Sequence, residues 1–279
     1  MTVANRFLKP YAIGGAAYNE TRPKIDAAAP FCCACRIEIN TVAADLIKKM
    51  PRVAAIATMA SRIETFQKVL SVIHAQVDQV FVYLDGYTRP PSFLAGFDRI
   101  SVMRAEDLGN RHASSRFLCL RELRVPTLVV IVDDDIIYPP NYVDALVDAL
   151  QRFQGAAIVG VHGRIFVPPH QSYINDVITF HFAGKLLRPV HVHELGVGTS
   201  AFVSNIFDID PEVLDNGNMN DIIVATEAQR RGLPRIAVPR TQGWLKAYAE
   251  TQADSLWART MRNHTDHSRR MRALLNLYA

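Results

Sequence analysis

The chain has 279 residues, of which 49% are hydrophobic and 21% charged, with a formal net charge of +4. That composition excludes wholesale disorder and leaves room for one large α/β domain with a sizeable core. The small positive excess does not imply nucleic acid, which is not expected as a partner, and no run reaches the ~18 apolar residues of a membrane span.

Residues 1–50 hold Pro10, Gly14, Gly15, Pro23 and Pro30 with little periodicity and read as an irregular N-terminal extension. The opening MTVANRFLKPYAIGGAAYNE lacks the continuous apolar core of a signal peptide. Cys32, Cys33 and Cys35 crowd into FCCACR without the second pair that a closed zinc site needs. Together with Cys119 they read as reduced, packing cysteines in a cytoplasmic protein.

Regular structure is predicted from Arg52. VAAIAT (53–58) reads as a strand, and the following SRIETFQKVLSVIHAQ (61–76) puts Ile63, Phe66, Val69, Leu70 and Ile73 on one helical face. Next come strands at 79–86 and 99–103, helical spacing over 111–123, the apolar run TLVVIV, and an amphipathic helix over 141–153. A strand at 156–163 closes this half. Alternation of strands and helices predicts a mostly parallel sheet with helices on both faces and ligands at the carboxyl ends of its strands. After Gly163 the pattern shifts to short segments at 178–184, 188–198 and 199–207, expected to form the antiparallel part of a mixed sheet. A helix over 219–232 and a short strand at 234–240 complete a domain spanning 51–250, and residues 251–279 form a basic C-terminal segment.

The stretch VVIVDDDIIYPPNY (129–142) ends a fully apolar strand in three consecutive carboxylates, which repel one another and call for a cation. Alternation along a strand sends Asp133 and Asp135 to one side and Asp134 to the other, which suits two oxygen donors on one divalent ion. The other reading is a solvated acidic turn capping the helix near Pro140. HVHE (191–194) places His191 and His193 on one side of a strand. Three such residues in one strand do not surround a zinc ion, so His193 reads as an acceptor-side hydrogen-bonding group or an exposed strand residue.

By motif order over residues 52–250, the chain resembles the inverting GT-A, family-2-like glycosyltransferases of bacterial capsule and surface polysaccharide assembly. VAAIATMASR with VFVYLDGY resembles their nucleotide-binding opening, and VVIVDDDIIYPPNYV their metal-binding DxD element. GVGTSAF resembles an acceptor-side strand and turn, and NMNDIIVATEAQRRGLPRIAV their "NMAD" segment, with Asn220 where Ala is usual. DLGNRHASSR is only loosely similar to their Gly-Asp-x-Gly-Lys loop, with Arg111 near the expected Lys.

The resemblance implies a GT-A, Rossmann-like single domain with a nucleotide-sugar-binding half (51–163) and an acceptor-binding half (164–250). It implies transfer of a sugar from a nucleotide-sugar donor to a saccharide or lipid-linked saccharide. Donor contacts fall to Thr58, Arg62, Asp85, Arg111, Asp133 and Asp134, and metal ligation of Mn²⁺ or Mg²⁺ to Asp133 and Asp135. Asp221 is the expected base, against the reading of a helix cap. His264 and His267, three apart among arginines, read as further metal ligands in a lid over the diphosphate or as part of a solvated tail. The same basic segment is expected to close on the donor or to lie against an anionic membrane at its inner face. Trp244 reads equally as a sugar-stacking platform or a core aromatic. The rival enzyme, a nucleotidylyltransferase, wants a glycine-rich loop after the first strand, and ATMASRIET has no glycine. A non-catalytic sugar-nucleotide-binding protein of the same fold is the other alternative.

Overall fold

Leu128–Val132 is the strand around which the domain is built, because none of its five side chains touches water. A computed structural model describes residues 42–108, 111–214, 219–248, 260 and 263–278. The unit Met1–Arg36 lies outside the described residues, as do the cysteines of FCCACR and, near the end, Arg259, Met261 and Arg262. Everything that follows belongs to the unit Ile37–Ala279.

In chain order the strands are β1 (Arg52–Met59), β2 (Gln79–Asp85), β3 (Ile100–Arg104), β4 (Leu128–Val132), β5 (Ile136–Ile137), β6 (Ile158–Gly160) and β7 (Gly163–Phe166). There follow β8 (Val177–Phe180), β9 (Val190–His191), β10 (Glu194–Leu195), β11 (Thr199–Val203), β12 (Arg235–Ala237) and β13 (Lys246–Ala247). Helices are α1 (Ala44–Lys49), α2 (Ile63–His74), α3 (Ala105–Leu108), α4 (Tyr142–Arg152), α5 (Asn220–Arg230) and α6 (Thr265–Leu275).

The main sheet has eight strands in the order β3-β2-β1-β4-β11-β6-β12-β9. Strands β1 to β4 are mutually parallel, and β6 pairs parallel with β12. Strand β11 runs antiparallel to both its neighbours, β4 and β6, and β9 runs antiparallel to β12. This is the expected mixed, mostly parallel α/β sheet, Rossmann-like in architecture. Alternation along the strands divides the core in two. Ala54, Ile56, Val80, Val82, Val130 and Val132 pack on α2 and α4, while Val53, Ala55, Phe81, Val129 and Ile131 face Phe117, α5 and α6. Each large apolar side chain buried in this way contributes about 1.5–3 kcal/mol, so the central strands anchor whatever is built on their ends.

Several local outcomes add to or differ from the sequence expectation. Segment 111–123 is a 3-10 helix, His112–Glu122, and not an α-helix. Strands β7, β8 and β10 form a separate three-stranded sheet, and β13 pairs with β5 directly after the acidic triplet. Within the basic C-terminal segment, Thr265–Leu275 is a helix whose Met271 and Leu274 are fully buried against α5 and its surroundings, so the apolar face of α6 is used inside the molecule. Within the expected N-terminal extension, α1 buries Ile47 in the core beside α4.

Candidate functional site

The carboxyl ends of β1, β2 and β4 open onto one edge, where β11 begins opposite Val132. Here the continuous apolar run of β4 stops and three carboxylates emerge. Each is met by a guanidinium. Arg62 Nη1, in the 3-10 turn after β1, donates to Asp134 Oδ1 at 2.9 Å and to Asp135 Oδ2 at 3.1 Å. Arg116, buried in the 3-10 helix, donates to Asp133 Oδ1 and, at 3.2 Å, to the Val132 carbonyl. Thr58 at the end of β1 adds a hydroxyl hydrogen bond to Asp134. The alternation inferred for the triplet therefore resolves into a split set: Asp134 and Asp135 share Arg62, whereas Asp133 turns to Arg116.

Among the described residues, three carboxylates thus face two guanidiniums, and one negative charge is left over. Its effect is visible on Asp135, pushed up to about 7 first by burial and then by repulsion from Asp133. Burial raises Asp134 as well, against the pull of Arg62.

Tyr138, from the Tyr-Pro-Pro that follows, ties this edge to the GVG turn. Its buried hydroxyl donates to the Gly198 carbonyl at 2.6 Å and accepts the Asp133 N–H at 2.9 Å. The Asp133 carboxylate lies directly on Gly198, and any Cβ at position 198 would occupy the same space. On the other side of the same turn, the Val197 N–H donates to Asp221 Oδ1 at 2.9 Å. Asp221 sits in the first turn of α5 but does not cap it, since the cap position is Met219 and carries no side-chain hydrogen bond. Two carboxylates therefore flank the dipeptide Val197–Gly198, at most on the order of 10 Å apart. Burial raises the Asp221 carboxyl, and repulsion from Asp133 adds to it.

Asp85, at the end of β2, is 2.9 Å from His112 Nδ1. Arg111 does not reach the triplet. It makes a two-pronged pair with Glu212, at 2.9 and 2.7 Å, and Arg116, five residues on, takes the place beside Asp133. Trp244 packs its ring 5.8 Å from that of Tyr142, against the core. His193 uses Nδ1 to accept the Phe166 N–H at 3.0 Å and lies against the rings of Phe166 and Tyr278. His264 meets Ser172 Oγ at 3.2 Å, and His267 rests on Tyr173. Among the described residues no three His, Cys, Asp or Glu side chains are grouped to hold a metal ion.

Glu194, beside the site in sequence, is sealed from water in a closed cluster. Its Oε1 accepts from Arg164 Nη1 at 3.2 Å and from the Tyr173 hydroxyl at 2.8 Å, while Arg164 stacks over the Tyr173 ring. Arg116, Tyr138, Gly198 and His112 were not among the residues singled out from sequence. Tyr138 and Gly198 carried a signal there through the Tyr-Pro-Pro and GVG motifs, and His112 and Arg116 lie in DLGNRHASSR, where Arg111 was the residue chosen.

No helix among the described residues is long and apolar enough to cross a membrane. No family model and no curated protein matches the chain. Among solved structures it aligns with glucosyl-3-phosphoglycerate synthase from Mycobacterium tuberculosis, in complex with Mn²⁺, UDP-glucose and glycerol 3-phosphate, at 19% identity and a TM-score of 0.35. That alignment covers 42% of this chain and 46% of the synthase, so the chain spans less than half of it. A nucleotidyl transferase from Methanothermobacter thermautotroptrophicus aligns at 13% identity and a TM-score of 0.43, over 79% of this chain and 98% of that one. CMP:2-keto-3-deoxy-manno-octonic acid synthetase, complexed with CTP, aligns at 11% identity and a TM-score of 0.45, over 77% and 99%. At these values the likeness concerns general α/β architecture, and the capsule-type branch rests on sequence motifs alone.

Proposed function

We propose that this protein transfers a sugar from a nucleoside-diphosphate donor to a hydroxyl of a saccharide or lipid-linked saccharide, by a single displacement that inverts the anomeric centre. One observation carries the reading: an acidic triplet and the half-buried carboxylate of Asp221 meet consecutive residues of one turn, Asp133 against Gly198 and Asp221 at the Val197 N–H. A reaction that joins an alcohol to an anomeric carbon needs a base on one side and charge stabilisation for the departing diphosphate on the other.

Asp221 takes the proton from the acceptor hydroxyl as its oxygen bonds to the anomeric carbon, and the carbon–oxygen bond to the diphosphate breaks with its electron pair on the leaving oxygen. The Val197 N–H orients the Asp221 carboxylate, and burial keeps its proton affinity above that of a solvated aspartate. Arg116 and Gly198 hold Asp133 flat against the turn. Thr58 and the Asp85–His112 pair lie along the same edge and are assigned to the nucleoside portion of the donor.

The donor set suits a hard divalent ion: all oxygen, with negative charge in excess of the arginines that meet it. Asp133 and Asp135 would hold Mn²⁺ or Mg²⁺, in a site of the kind that uses one or two carboxylates and fills its remaining positions from substrate phosphate and water. Bound there, such an ion neutralises charge on the leaving diphosphate.

The test is incubation of the full chain with a panel of nucleoside-diphosphate sugars and Mn²⁺, followed by measurement of released nucleoside diphosphate and of product stereochemistry. Release with inversion is expected, and Asp135→Ala abolishes it. Pyrophosphate release from a nucleoside triphosphate and a sugar phosphate would instead mark a nucleotidylyltransferase, and tight binding without turnover a non-catalytic protein. Retention at the anomeric carbon would overturn the single displacement.

A further inference from the structure

Arg62 holds the acidic triplet by one atom. Its Nη1 lies 2.9 Å from an oxygen of Asp134 and 3.1 Å from an oxygen of Asp135, so a single positive centre bridges the carboxylates of two consecutive residues. The three side chains are largely closed to water, at 12% exposure for Arg62, 5% for Asp134 and 15% for Asp135. At such a position a bound cation is not exchanged freely for ions of the solvent, and removal of the cation leaves two buried carboxylates in mutual repulsion.

The oxygen of Asp135 that Arg62 occupies belongs to a carboxylate assigned above to a divalent ion. A guanidinium and a dication are both positive, so they repel one another and compete for that oxygen. Arg62 also stands at the end of the short 3-10 turn Ala60–Arg62, between β1 and α2. Building on the function proposed above, we infer that Arg62 is a stand-in cation: it closes the acidic triplet until a divalent ion takes Asp135 from it, and metal loading proceeds by that exchange. Asp134 is the partner that Arg62 keeps, held in turn by Thr58. This gives the triplet's middle aspartate a purpose apart from ligation, since it retains the displaced arginine beside the site.

The exchange predicts that wild-type protein binds metal more weakly than its carboxylates alone would. Mn²⁺ binding to the full chain, with no nucleotide present, is measured by titration calorimetry and by the electron paramagnetic resonance signal of free Mn²⁺, for wild type, Arg62→Met, Arg62→Lys and Asp135→Asn. Arg62→Met is expected to bind Mn²⁺ at least ~10-fold more tightly than wild type, because the competing cation is gone. Arg62→Lys keeps the charge on a compact ammonium without the arginine's fork and falls between the two, at roughly 3-fold tighter. It serves as the test if Arg62→Met does not fold. Equal or weaker Mn²⁺ affinity in a folded Arg62 variant overturns the exchange. Where Asp135→Asn abolishes binding but the Arg62 variants leave it unchanged, the exchange alone fails. No Mn²⁺ binding, or binding indifferent to Asp135→Asn, would overturn the metal assignment and the exchange with it.

Discussion

Arg164 with Glu194 and Tyr173, and Arg62 and Arg116 with the acidic triplet, are both clusters of carboxylates held by arginines, yet they are built for different ends. In the first the charges balance one to one and the side chains are 4% and 0% exposed. The Tyr173 hydroxyl and carbonyl add hydrogen bonds at 2.8 and 2.5 Å, while among the described residues Glu194 Oε2 is buried with no hydrogen-bond partner. In the second, among the described residues, three carboxylates outnumber two guanidiniums, and Asp133 is 38% exposed. Disruption of a pair sealed from water strands a charge in a dry place. A cluster with more carboxylates than guanidiniums and one carboxylate reaching solvent is costly to the fold and gains from a bound cation. Substitutions in the two clusters should therefore fail in opposite ways: loss of activity in one, loss of stability in the other.

The largest expected effect is at Asp135. Asp135→Ala removes a proposed metal ligand and should lower turnover at least about 10³-fold, with the melting temperature unchanged or raised, because burial and Asp133 already disfavour its charge. A variant that lost stability in proportion to activity would erase the distinction between the clusters. Arg164→Met tests the other side. It leaves Glu194 buried with only the tyrosine, and urea denaturation should show a loss of about 3–5 kcal/mol. Little change in the urea midpoint would mean that the sealed pair does not hold the fold.

How far the sequence carried this contrast depends on the length scale of the signal. The central strand β4 was legible because Leu128–Val132 is apolar throughout, α2 and α4 because their apolar residues recur at helical spacing, and α5 from the Gly232 that follows it. The acidic triplet was legible as a place that demands cations. Which cations arrive was not. Arg111 and Arg116 lie in one helical-looking stretch, and a 3-10 winding, with three residues per turn, turns Arg116 to Asp133 while Arg111 meets Glu212. The three-stranded β7–β8–β10 sheet is built from segments of four, four and two residues paired over long separations, too short for a period to register. His264 and His267 were read from their spacing and the arginines around them. What decides their place is the burial of Met271 and Leu274 on the same helix, a tertiary fact.

A smaller effect than either cluster's is expected at Asp221. Asp221→Asn keeps an oxygen that can accept the Val197 N–H, so the turn, the fold and Mn²⁺ binding should survive. An amide cannot take a proton, and transfer should fall on the order of 10²-fold. Rapid-quench measurement of the chemical step separates this from a binding defect, and activity within a few-fold of wild type would move the base to another carboxylate.

The smallest expected effect lies in the pH dependence of stability, and it has opposite signs in two buried groups. Burial, then the neighbouring His181, depresses His162 to about 3, so the folded protein holds this imidazole neutral. The unfolded chain takes up a proton there below about 6.5 and so binds more protons than the folded one. The contribution of His162 is therefore complete above that pH and is lost as pH falls toward 3, at about 1.4 kcal/mol per pH unit. Glu194 is pushed up to about 7, first by burial, which outweighs the attraction of Arg164. Its contribution is complete below its unfolded value and is lost as pH rises through about 7. Because Asp134, Asp135 and Asp221 are also raised, the wild-type profile mixes both signs, and the informative quantity is a difference between proteins. Unfolding free energies at pH 4.5, 5.5 and 6.5, on the order of the window set by these shifts, should show His162→Gln gaining on wild type with each step downward. Glu194→Gln should gain on wild type with each step upward, and parallel profiles for all three proteins would show that neither group changes its proton affinity on folding.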